Sequence, residues 1–188
     1  MLNTNVFLHD FARAFYSPKT LYTDVHNGHR TPSWLCVAIY CAIYVAYTFW
    51  GAFHGITPPL EPLLKIDIQK YYLVQSFYEA PLVFAMWILA AGTIHTLSKP
   101  FGGKGNFDAT LTMTGYSLWA PWFLLIPFDV IPVPELVYNL ILTICILLIF
   151  IGTAVLTKVE EGIGWIGAFI SSMIAIIAIS AFLFTLIR

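Results

Sequence analysis

Leu136-Val-Tyr-Asn-Leu-Ile-Leu-Thr-Ile-Cys-Ile-Leu-Leu-Ile-Phe-Ile-Gly-Thr-Ala-Val-Leu-Thr157 runs 22 residues without a charged side chain. A hydrocarbon core about 30 Å thick is crossed by about 20 apolar residues of helix. This stretch meets that length, and it has neighbours of the same kind. Ser33–Phe53, Phe77–Leu97, Ala109–Phe128 and Gly162–Ile187 are also long and nearly free of charge. Between them lie short breaks rich in charge, glycine or proline. The chain is read as an all-α polytopic membrane protein, a five-helix transmembrane bundle with an amphipathic N-terminal segment.

Composition points the same way. The 188 residues are 59% hydrophobic and 10% charged, with mean hydropathy +0.80. Soluble domains carry about 25% charged residues, and a chain of this size buries only part of its surface. Lipid is therefore expected to cover the rest. The net charge of −1 gives no field that favours nucleic acid. Cys36, Cys41 and Cys145 all fall in expected spans. Their odd number and lack of CxxC spacing read as small core residues, not a disulfide framework. No cleavable leader is expected, because His9, Asp10 and Arg13 interrupt the first apolar residues.

Residues 1–30 read as two short helices on the membrane surface, and residues 31–188 as the spanning domain. Phe7, Leu8, Phe11, Ala12 and Phe15 recur at helical spacing. Ser17-Pro18 and Thr31-Pro32 are helix-start signals, and Gly28 is a stop. Pro58, Pro59 and Pro62 forbid a continuous helix after the first span. Asn106 or Asp108 is expected to cap the third span, and Pro121 and Pro127 to kink it. Ala168, Ser171, Ala175, Ala178 and Ala181 share one face of span five. Such a face lets helices approach closely, either between two copies or within one chain.

Basic residues set the expected handedness. With the N-terminus inside, the inner side holds Arg13, Lys19, Arg30, Lys99, Lys104 and Lys158, and the outer side Lys65, Lys70 and Arg188. The N-terminus is expected in the cytoplasm and the C-terminus outside.

The stretch Ile94-His95-Thr96-Leu97-Ser98-Lys99-Pro100-Phe101-Gly102-Gly103-Lys104-Gly105-Asn106-Phe107 is followed by Thr110-Leu111, Tyr116-Ser117 and Pro121. It resembles the central signature of the Yip domain family (Ypt/Rab-interacting protein family), in its prokaryotic form. Phe15-Tyr16-Ser17-Pro18-Lys19 resembles the opening of those prokaryotic proteins. The resemblance covers about residues 11–185. It implies five spans, a cytoplasmic N-terminus and a prokaryotic plasma (inner) membrane. Eukaryotic members are associated with Rab-type GTPases, but this chain lacks their long acidic N-terminal region.

Ionisable groups at membrane depth are costly and mark functional sites. Glu79 and His95 are 16 residues apart on one expected helix, or roughly 24 Å, and cannot share a site. At the outer face, topology gathers His54, Glu79, Asp129 and Glu135. Read functionally, they are metal ligands or a proton site; otherwise they are solvated interfacial groups and caps. At the inner face His95 lies near Lys99, Lys104, Asp108, Glu160 and Glu161, with His26 and His29 as further members of a second polar cluster. Gly102-Gly103-Lys104-Gly105 lacks P-loop spacing. With Lys99 it can hold a lipid phosphate or partner, or be a plain turn. No catalytic residues and no cofactor are assigned.

The expected function is a non-enzymatic scaffold or membrane-organising protein of the trafficking type, contacting membrane lipids, other membrane proteins or further copies of itself, and no nucleic acid. The alternative is a small transporter, channel or metal-dependent membrane enzyme built on Glu79, His54, Asp129 and Glu135.

Overall fold

A computed structural model describes residues 4–29, 31–54, 68–130 and 133–187. The described chain is helical: α1 (Thr4–Tyr16), α2 (Pro18–His26), α3 (Ser33–His54), α4 (Ile68–Ser98), α5 (Phe107–Trp119), α6 (Ile126–Val130), α7 (Glu135–Glu161) and α8 (Trp165–Ile187). Ser33–His54, Tyr72–Phe101 and Glu135–Glu161 are long and apolar enough to cross a membrane, and Trp165–Ala181 is a shorter apolar run within α8. Their outward side chains are large and apolar. Phe53, Phe77, Leu136 and Ile166 are each more than 70% exposed. This is the surface of a helical membrane protein, with hydrocarbon as its outer solvent.

The third apolar stretch is not one rod. α5 stops as a regular helix at Trp119, gives way to a 3-10 turn over Ala120–Leu124, and resumes only as the five-residue α6. Thirteen residues of α5 rise about 20 Å, short of a full crossing. The cause is Pro121, which has no N–H to give and crowds the preceding turn. The Pro121 carbonyl accepts from the Cys145 thiol of α7 at 3.3 Å instead. The second stretch is longer than its apolar part: α4 begins at Ile68 and carries Pro81 inside it. The Pro58–Pro62 segment lies outside the described residues.

Cap chemistry fixes the ends. Asn106 caps α5, its side chain accepting from the Asp108 N–H at 3.0 Å. α7 continues through Lys158-Val159-Glu160-Glu161 and ends at Gly162, in the left-handed region at φ 67°. At Ser17 the sequence signal marks the right boundary by another device. Its hydroxyl meets Thr20 Oγ1 at 2.7 Å and makes no cap bond to the backbone.

The core draws on every layer. Val37 and Tyr40 of α3, Val83, Met86 and Ile94 of α4, Met113 and Tyr116 of α5, Leu156 of α7 and Ala175 of α8 are buried together. α3 and α4 pack most extensively, and α7 touches α2, α5 and α8. The N-terminal helices feed the same core. Phe7, Leu21, Tyr22 and Val25 are buried, and the Phe11 ring of α1 meets Phe123 edge-on at 5.2 Å. The apolar stripe of α1 and α2 thus packs on protein.

α3 and α5 approach closely at one point. A Cβ added at Gly115 would sit 2.8 Å from Ser33 Cβ and 3.2 Å from the Ser33 carbonyl. The first is closer than real Cβ atoms come, and the second is tighter than most Cβ contacts. Gly115→Ala is expected to destabilise the detergent-solubilised protein by roughly 1–3 kcal/mol, the cost of overpacking. Gly92→Ala, where a Cβ meets nothing within 4 Å, is the control. Thermal unfolding of the pair checks this.

Candidate functional site: a carboxylate pair at the end of α7

Glu160 and Glu161 are the last two residues of α7, and each is at most 2% exposed. An isolated buried charge is very costly. Acidic groups are also disfavoured at a helix C-terminus, where the dipole is negative. Neighbouring elements overcome both effects. Glu160 Oε1 accepts from the Asn106 N–H at 2.6 Å, and its Oε2 lies 2.9 Å from His26 Nδ1. Glu161 Oε2 accepts from the Gly105 N–H at 3.0 Å, and its Oε1 lies 2.8 Å from His95 Nδ1. Thr110 Oγ1 donates to the same Oε1 at 3.5 Å, and Lys99 Nζ lies 3.5 Å from Oε2. All four carboxylate oxygens are engaged. An ionised carboxylate only accepts, so each histidine presents its Nδ1–H to it.

The amides come from the loop that opens α5, so the positive end of that helix faces the acids. The loop also sits on the α7 backbone, with the Lys104 N–H donating to the Glu161 carbonyl at 3.1 Å. Glycine is required here by proximity. A Cβ at Gly103 would lie 2.8 Å from Glu161 Oε2, and one at Gly105 would lie 2.7 Å from Glu161 Cδ. The backbone donors of the Gly-Gly-Lys-Gly turn that meet an anion therefore meet the chain's own carboxylates. Lys104 is exposed, and Lys99 Nζ lies 3.4 Å from the Gly103 carbonyl.

A second node ties α1 to α2. Asp10, only 1% exposed, accepts from Arg13 Nη1 at 3.2 Å and lies 3.2 Å from His29 Nε2. Arg13 also donates to Asp24 of α2, and this bond together with that to Asp10 raises the guanidinium above its usual range. Thus His26 and His29 part company: one binds α7, the other α1.

The inner-face cluster read from the sequence is brought together through His95, Lys99, Glu160, Glu161 and His26. The outer-face set is not seen to assemble. His54 is exposed, stacks on Trp50 at 3.9 Å and lies 3.0 Å from its carbonyl. Glu79 is half-buried on α4, and Glu135 is exposed in the first turn of α7. The Asp129 side chain lies outside the described residues. Among the described residues, no group of three or more His, Cys, Asp and Glu is placed to hold a metal ion. On α8, Ala168, Ser171 and Ala175 are buried within the chain, Ala178 is half-buried and Ala181 exposed. Ser172 Oγ is 3.0 Å from Thr157 Oγ1 of α7.

Sequence reasoning placed the site's polar residues in one cluster but did not single out the two acids as its centre. A signal was present. Consecutive glutamates ending an apolar helix oppose the helix dipole, and such an exception asks for donors from elsewhere.

The geometry coincides with the segment that carries the family signature, the His95–Asn106 turn. The family model of the Yip1 domain matches residues 12–186. The chain belongs to the Yip1 domain family. Searches of curated proteins and of solved structures give no match to this chain. Within this Yip1 domain the matched region includes α2 and the signature turn, the two partners that close on Glu160 and Glu161.

Removing Glu161 strands the Gly105 amide and the His95 imidazole. A donor fully buried and left unpaired costs about 1–3 kcal/mol, and these two, partly buried, fall toward the lower end. Glu161→Ala is expected to lower the unfolding midpoint strongly, with Glu135→Ala, an exposed acid of the same helix, close to neutral. Unfolding in one detergent checks both.

Proposed function

We propose that this Yip1 domain is a non-enzymatic, multi-pass membrane scaffold of the membrane-organising or trafficking type. Residues 1–30 form an interfacial layer docked on the bundle, and residues 31–188 form the spanning domain. The N-terminus is cytoplasmic, the C-terminus outside, and the membrane is a prokaryotic plasma membrane. The protein acts through helix packing and through contacts with lipids, other membrane proteins or further copies of itself.

The observation that carries this reading is where the polar chemistry goes. Glu160 and Glu161 are bound on every oxygen by groups of the same chain, which suits a structural fastening better than a site awaiting substrate. The outward surface offers large apolar side chains instead, such as Phe77, Leu136 and Ile166. In the handedness proposed, Arg13, Lys19, Lys99, Lys104 and Lys158 share the cytoplasmic end with the carboxylate pair. That is the side where basic residues accumulate. The exposed turn around Lys99, Gly102, Gly103 and Lys104 is then presented to headgroups or to a partner.

Photo-crosslinking in native membranes from a probe at Phe77 or Ile166 is expected to capture a second protein or a second copy of the chain. Proteoliposomes are expected to show the same solute and ion flux as empty vesicles, with wild type and Glu79→Gln alike. A strict monomer without cross-links, or flux that Glu79→Gln abolishes, contradicts the scaffold reading.

A further inference from the structure

Apart from the carboxylate pair, α7 and α8 form a shallow apolar groove on the outside of the bundle. It is lined on α7 by Phe150, Ile151, Ala154 and Val155 and on α8 by residues including Trp165, Ile166 and Phe169. The helix period explains its shape. Ile151, Ala154, Val155 and Lys158 are spaced i, i+3, i+4, i+7, so they form one stripe about 10 Å long. On α8, Trp165 and Phe169 sit one turn apart. The Phe150 and Phe169 rings meet edge-on at 5.0 Å, joining the two helices along the groove. Ala154 keeps the floor low, while Ile166 and Trp165 stand exposed as a wall.

One end of this groove is charged. Lys158 is half-buried, and its ammonium lies 4.1 Å from the centre of the Trp165 ring. Among the described residues no carboxylate pairs with it. Glu160 and Glu161 nearby are turned inward and bound to α2, α4 and the α5 loop. A cation over an aromatic face keeps its full charge. The stem of Lys158 continues the apolar stripe while its head reaches the end of the helix. Tryptophan at this position suits the membrane–water boundary.

We infer that the α7–α8 groove seats one anionic phospholipid, with an acyl chain laid along Ile151, Ala154 and Phe169 and the phosphate at the Lys158 ammonium. The occupant follows from the two halves of the site. The groove is apolar at membrane depth, so an aliphatic chain fills it. The unneutralised cation at its mouth selects a negative headgroup. This seat is separate from the basic turn of Lys99 and Lys104. It rests on the membrane embedding of α7 and α8, not on the scaffold reading, and either can fail alone.

Native mass spectrometry of the detergent-extracted full chain, titrated with phosphatidylglycerol or phosphatidylcholine, tests it. Wild type is expected to retain one phosphatidylglycerol with about five-fold preference, the effect of a single lysine near an anionic headgroup. Lys158→Gln brings the preference to near one, and Lys70→Gln, at an exposed lysine of α4, leaves it unchanged. Ala154→Phe fills the groove and lowers retention of both lipids, and soluble glycerophosphoglycerol does not compete. Equal retention of both lipids by wild type overturns the proposal. So does a preference that survives Lys158→Gln or disappears with Lys70→Gln, or displacement by the soluble headgroup.

Discussion

Two adjacent carboxylates, sunk at the end of an apolar helix, impose the strictest demand in this structure. Removing an ionised carboxylate from water costs several kcal/mol even after the protein relaxes. α7 cannot meet that cost, because its own C-terminal dipole opposes the charge. Partners must come from elsewhere in the chain, and they do. α2 sends His26, α4 sends His95, and the turn before α5 sends the amides of Gly105 and Asn106. Charge-assisted hydrogen bonds are the stronger kind, and four of them converge on a single helical turn.

The arrangement of helices at that end of the bundle follows. The α4–α5 turn must lie across the end of α7 for its N–H groups to reach, which brings Gly103 and Gly105 into contact with the acids and leaves no room for a side chain. α2 is held to α7 both by His26 and by the burial of Leu21, Tyr22 and Val25. Asp10 and Arg13 in turn fasten α1 to α2. The N-terminal helices are thereby locked to the rest of the bundle by charge at one face and by aromatic packing at the other, where Phe11 meets Phe123.

Much of this was legible in the sequence because membrane-protein patterns are strong. The uncharged runs reveal α3, α7 and the apolar part of α4, since length and hydropathy together answer to bilayer thickness. Asn106 and Gly28 mark helix boundaries by local chemistry, which needs no tertiary information. Pro121 is visible as a disturbance, but the sequence does not say whether α5 bends or breaks. That depends on Cys145 and the surrounding packing. The apolar stripe of α1 shows a buried face but not its cover, because a helix against lipid and one against protein have the same pattern. The carboxylate pair was hardest to read. Its partners lie 51 to 134 residues away in sequence, and no local rule reaches that far. At the other end of the bundle, His54 and Glu135 looked equally suited to a site by residue type, yet both are exposed.

The amides of Gly105 and Asn106 are spent on Glu161 and Glu160. Site-resolved amide hydrogen exchange of the protein in detergent measures this directly. These two loop amides are expected to exchange slowly, at rates approaching those of the helix interiors, and to become fast in a Glu160→Ala, Glu161→Ala double variant while α3 stays protected. Rapid exchange of both amides in the wild-type protein, at the pace of an open glycine-rich loop, would contradict the account.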